Sequence, residues 1–113
     1  IVSGKYGGKK STAEEIEGYL DTIVSYLTEK GCDVILFNAP PQDFKETNEG
    51  IRTALNEKIP DIAEKYEAKF FDFSALLSTE AEPEKAVYGG HPNGEGGTVA
   101  ADAFVKQFGS MFE

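Results

Sequence analysis

The chain has 113 residues, enough for one domain with a small core, and its 40% hydrophobic and 27% charged residues are globular values that exclude a disordered chain. A net charge of −9 excludes the basic face that non-specific binding to nucleic acid or to an anionic membrane requires. No apolar run is long enough to span a bilayer, no signal peptide is read at the N-terminus, and the single Cys32 excludes an internal disulfide, while the compartment stays open.

Taken in order, Ile1-Val2-Ser3 reads as the end of a buried strand, and Gly4-Lys5-Tyr6-Gly7-Gly8 as a loop, three glycines in five residues being too permissive for strand or helix. Ser11-Thr12-Ala13-Glu14-Glu15 carries two overlapping capping boxes, Ser11 with Glu14 and Thr12 with Glu15. Ile16, Leu20, Ile23, Val24 and Leu27 then follow at helical spacing, and Lys30-Gly31 supplies a basic last turn and a terminating glycine. Cys32 falls at the helix-to-strand junction, in a packing role.

Asp33-Val34-Ile35-Leu36-Phe37 is a continuous apolar run, the pattern of a parallel strand covered on both faces, and Asn38-Ala39-Pro40-Pro41 stops it. A second helix is expected from near Thr47, with Ile51, Leu55, Ile59 and Ile62 on one side and a kink or break at Pro60. Ala68 to Phe73 reads as a third strand, and Ser74 to Tyr88 as an acidic loop around Glu80, Glu82, Pro83 and Glu84. The last helix is expected from about Gly96, with Ala100, Phe104, Phe108 and Met111 as its apolar stripe.

This alternation of three strands with three helices implies parallel strands joined by right-handed crossovers, hence a layered α/β fold. Ligands in such sheets gather at the carboxyl ends of the strands. The loops Gly4–Gly8, Asn38–Phe44 and Ser74–Pro92 all leave strands at that edge.

The chemistry concentrates in Tyr88-Gly89-Gly90-His91-Pro92-Asn93-Gly94-Glu95-Gly96-Gly97. His91 is the only histidine, the one side chain that ordinarily exchanges protons near neutral pH. Pro92 restrains the backbone after it and Asn93 is placed to turn and cap the chain, so a rigidly held general base is the functional reading and a solvated loop histidine the structural one. The serines Ser3, Ser11, Ser74 and Ser78 read as structural, Ser11 as a cap and Ser3 as a strand end. Gly4-x-x-x-x-Lys9 lacks the second glycine of a phosphate loop and reads as a plain turn. Glu80, Glu82 and Glu84 read as a solvated acidic loop in preference to a calcium site, and one histidine cannot make a zinc site, so no cofactor or metal is expected.

His91-Pro92-Asn93 with Gly96 before an Ala-rich terminal helix resembles the last block of the SGNH (GDSL-like) ester hydrolases. Ile1-Val2-Ser3-Gly4, Ile35 through Pro41, and Phe70-Phe71-Asp72-Phe73 match that family's strand ends in order. The resemblance implies a three-layer parallel-sheet (flavodoxin-like) fold, present in part, the chain being a single α/β domain or the C-terminal part of an SGNH domain. It also implies hydrolysis of an acyl or acetyl ester, with His91 as catalytic base. Tyr6 stands at the position of the oxyanion asparagine and Tyr88 at that of the acid which orients the histidine. No Gly-Asp-Ser nucleophile block occurs in the sequence, so the chain alone is expected to be inactive. Two readings stay open: the C-terminal part of an enzyme whose nucleophile lies elsewhere, or a degenerate binding or assembly module. In either, the first strand's open edge is expected to pair with the missing N-terminal half or with a second copy.

Overall fold

The computed structural model describes residues 11–39, 46–79, 87–88, 91–92 and 94–113. Their elements are α1 (Ala13–Glu29), β1 (Ile35–Phe37), α2 (Glu46–Lys65), β2 (Lys69–Phe71), α3 (Phe73–Thr79), β3 (Val87–Tyr88), β4 (His91–Pro92), α4 (Gly94–Phe108) and a closing 3-10 turn (Gly109–Phe112). The described residues are thus mostly helical and mixed α/β, with β1 and β2 forming a small parallel sheet and β3 and β4 an antiparallel hairpin. The expected first strand, Ile1-Val2-Ser3, and the glycine loop after it lie outside the described residues. The chain divides into two compact units, Ile1–Phe37 with Phe44–Phe70, and Asn38–Asp43 with Phe71–Glu113.

In the first unit α1 begins on Thr12, whose Oγ1 accepts the Glu15 N–H at 3.1 Å, so the Thr12–Glu15 pair sets the cap. It ends in a Schellman turn: Gly31 N–H donates to Thr28 O at 3.0 Å and Cys32 N–H to Leu27 O at 3.0 Å, with Gly31 at φ +79°. The same turn closes α2, where Glu67 N–H donates to Glu64 O at 3.2 Å and Ala68 N–H to Ala63 O at 2.8 Å. There the left-handed position holds Glu67, at φ 54°, and a side chain at such a backbone costs about 1 kcal/mol relative to glycine. Glu67→Gly is therefore expected to raise stability by about 0.5–1 kcal/mol, read as a higher urea midpoint at unchanged slope.

Each cap delivers the chain directly into a strand, and Lys69 N–H bonds Val34 O at 2.9 Å to start the ladder between β1 and β2. Val24, Leu36, Ile59, Ile62 and Ala63 form the buried core, with Leu20, Val34, Leu55, Tyr66, Ala68 and Phe70 packed around it. Between α1 and the end of α2, Asp21 accepts from Lys65 Nζ at 2.9 Å and from the Tyr66 hydroxyl at 2.6 Å. The Tyr66 hydrogen bond first, and the Lys65 ammonium second, hold the Asp21 carboxyl below its usual range. On an exposed pair this registers the two helices more than it stabilises them.

Four expectations are corrected here, the first being the packing role of Cys32, which is exposed. Of the kink or break expected at Pro60, the break does not occur: α2 runs continuously from Glu46 to Lys65. Ile59, Ile62 and Ala63 are buried on either side of the proline, and that burial outweighs one lost helical hydrogen bond. Ile23 does not join the α1 core but is 54% exposed, because successive helical residues point about 100° apart and its neighbour Val24 takes the core direction. The run Asp33–Phe37 is not fully covered on both faces: Leu36 is buried, but on the other face Ile35 is half-buried and Phe37 exposed.

In the second unit the expected acidic loop is replaced at its start by α3, and the third strand ends at Phe71. Phe73, Leu76 and Leu77 recur at helical spacing behind Asp72, a capping residue, so the stretch Phe73–Thr79 winds up. Leu77 is completely buried and packs against Phe73 and Val99. Phe71 lies against Phe73, Phe104 and Phe108, with ring centroids 6.1, 5.7 and 6.1 Å away. The last helix starts at Gly94, two residues ahead of expectation, and Phe104 and Phe108 of its expected stripe meet at 5.1 Å. Met111 falls in the closing 3-10 turn.

Candidate functional site

Asn38 follows β1 directly and Asp72 follows β2, and in parallel strands those two positions share the carboxyl edge. Asn38 is 8% exposed, the buried polar residue among those described. A buried amide needs partners for both ends, and Asn38 has them. Its Nδ2 donates to Asp72 Oδ1 at 2.7 Å, and its Oδ1 accepts the Ser74 N–H at 2.7 Å. Asp72 Oδ1 also accepts the Ala75 N–H at 3.0 Å, capping α3, while Asp72 O takes the Leu76 N–H at 3.2 Å. The carboxylate thus stabilises a helix N-terminus, and the Asn38 amide ties carboxylate and helix together within the second unit. The hydrogen bonds of this clip all stay within the protein.

His91 lies in β4, in register with Tyr88 of β3, and α4 starts three residues later at Gly94. The residues assigned to the base and acid positions therefore occupy opposed places in one hairpin. The two-residue Gly89-Gly90 interval is a recognised hairpin signal, and reading it so would have predicted β3 and β4. The first turn of α4 carries three glycines, and Thr98 Oγ1 donates back to Gly94 O at 3.0 Å.

Tyr6, assigned to the oxyanion position, lies outside the described residues, as do Ser3, Lys9, Asn93 and the Glu80–Glu84 cluster. Of the other serines, Ser11 precedes the Thr12 cap and Ser78 belongs to α3. Ser74 offers its backbone amide to Asn38. Among the described residues no three of His, Cys, Asp and Glu gather to hold a metal ion. No described helix is long and apolar enough to cross a membrane.

Sequence reasoning had singled out neither Asn38 nor Asp72 for a site. The available signal was positional: two short apolar runs, Ile35-Leu36-Phe37 and Phe70-Phe71, are each followed at once by a side chain, Asn38 or Asp72, that can hydrogen-bond across. Compared with known proteins, the chain matches no protein-family model and no curated protein.

Proposed function

We propose that the chain is an SGNH-like ester hydrolase or the C-terminal part of one, acting on an acyl or acetyl ester, with a three-layer parallel-sheet fold completed outside the described residues. His91 is the base, and the nucleophile comes from outside these 113 residues, since no Gly-Asp-Ser block occurs in them. The observation that supports the reading is that His91 stands three residues ahead of the terminal helix α4, although in a short strand and not in the loop that the resemblance implies. The Asn38–Asp72 clip supports it by holding together the two residues that follow β1 and β2 in sequence.

In the mechanism, the imidazole takes the proton of an attacking hydroxyl and returns it to the leaving alcohol. The chain alone is expected to hydrolyse an aryl acetate no faster than free imidazole and to resist a serine-directed phosphonate. A longer polypeptide with a strand and a Gly-Asp-Ser block fused ahead of Ile1 is expected to gain turnover that His91→Gln removes. Labelling of the chain by itself would place the nucleophile within it, and turnover indifferent to His91→Gln would remove the base assignment.

The register of Tyr88 with His91 favours a second reading, a non-catalytic binding or assembly module of the same fold, because a phenol lends no negative charge to an imidazolium. Tyr88→Asp in the fused protein separates the two: a gain in turnover belongs to an enzyme scaffold, no gain to a module.

A further inference from the structure

Tyr19, Ile23 and Tyr26 are 56%, 54% and 59% exposed, large apolar side chains on a helix that already has a buried face. At about 100° per residue they fall within one arc of α1, together with Thr22, with Glu15 in its first turn and with Lys30 at its C-cap. An exposed apolar stripe with charged ends is the form of an interaction surface. We propose that this stripe of α1 is a homodimer surface, on which two copies pair α1 against α1 antiparallel across a two-fold axis.

The choice of a second copy rests on the order of side chains along the stripe. A two-fold axis between Thr22 and Ile23 sets Tyr19 against the partner copy's Tyr26 position, and Glu15 against its Lys30 position, each twice by symmetry. Ile23 therefore meets the partner copy's Thr22 position beside the axis, aromatic meets aromatic, and a carboxylate meets an ammonium at both ends. The parallel arrangement opposes Glu15 to Glu15 and Lys30 to Lys30. Lys30 is the cation of this helix end: α1 holds Glu14, Glu15, Glu17, Asp21 and Glu29 and no basic residue. Its ammonium lies 5.4 Å from the Tyr26 ring centroid, on the face to be paired. In a chain of net charge −9 two copies repel at a distance, so association needs such local complementarity. This surface is independent of the ester-hydrolase reading.

Sedimentation of the 113-residue chain between about 1 and 200 µM is expected to show a reversible monomer–dimer equilibrium. Glu15→Lys and Lys30→Glu, each placing like charges together at two points, are expected to weaken the dimer about tenfold or more. The double exchange is expected to restore it, with circular dichroism reporting an intact fold throughout. Ile23→Glu, at an exposed position, is expected to abolish association while leaving the helix intact. In a Cys32→Ser background, Ile23→Cys is expected to be joined to its own copy by a short bismaleimide. A monomer at every concentration overturns the proposal. So does a dimer that Ile23→Glu leaves intact or that the double exchange fails to restore.

Discussion

Phe71→Ala is expected to be the most damaging single truncation, lowering stability by about 3–5 kcal/mol. The ring is 4% exposed and touches three other phenylalanines, two of them, Phe104 and Phe108, edge-on. Removing it deletes transfer free energy and leaves a cavity bounded by stiff rings that close poorly around it. Edge-on aromatic pairs add about 0.5–1.5 kcal/mol each beyond the buried area, which Phe71→Leu also forfeits while keeping most of the volume. The expected order is therefore wild type, then Phe71→Leu, then Phe71→Ala, in urea midpoint. Against a total stability of about 5–15 kcal/mol for a domain of this size, the alanine variant retains little cooperative melting. Equal midpoints for the alanine variant and the wild type would mean that the phenylalanine cluster is not packed as described.

Asn38→Asp is expected to carry the second largest effect, and its sign depends on pH. The substitution sets a carboxyl in a buried position against the Asp72 carboxylate that Asn38 had served as a donor. Burial and the like charge both disfavour ionisation, so the folded-state pKa of the new group lies above its unfolded value of about 4. A carboxyl raised in this way carries no ionisation penalty below the unfolded value. The penalty grows as pH rises between the two values and is complete above the folded one. The variant is thus expected to lose about 2–4 kcal/mol at neutral pH and to recover part of it on acidification. Asn38→Leu, which removes the amide without adding charge, is expected to lose about 1.5–3 kcal/mol with no such recovery. Stability profiles that run parallel for the two variants from pH 4 to 7 would show that the amide and the carboxylate do not meet.

The long periodic elements were legible in the residues alone. The cap at Thr12, the glycine exit at Gly31, the apolar run into β1 and the stripe of α4 all arise from local chemistry, and each is found where the residues place it within two or three positions. The elements that escaped are short or decided at long range. α3 has seven residues and borders an acidic stretch, so its N-cap and three apolar positions were outweighed by the charges of Glu80, Glu82 and Glu84. β3 and β4 have two residues each, too few for any period to show. The continuity of α2 through Pro60 depends on tertiary packing, since burial of Ile59, Ile62 and Ala63 offsets the hydrogen bond that the proline cannot make. For the site, His91 stood out by being the single histidine. Asn38 did not, because an asparagine after an apolar run reads as the strand's punctuation until pairing brings residue 72 beside it.

The clip also has a consequence for the order in which the chain can fold as it is made. Asn38 precedes its two partners by 34 and 36 residues, and it belongs to the second unit although helix α2 of the first unit lies between. During synthesis it leaves the ribosome together with β1, long before Asp72 and Ser74 exist to receive it. A nascent chain ending at Phe70 already holds the core residues Val24, Leu36, Ile59, Ile62 and Ala63, while its Asn38 has only water to bond. Closing a loop of this length costs only slightly more than closing one half as long, so the delay is set by translation and not by chain entropy. The strand end therefore stays hydrated until Asp72 and Ser74 have been made, and that edge dries only after the core residues of the first unit are already in the chain.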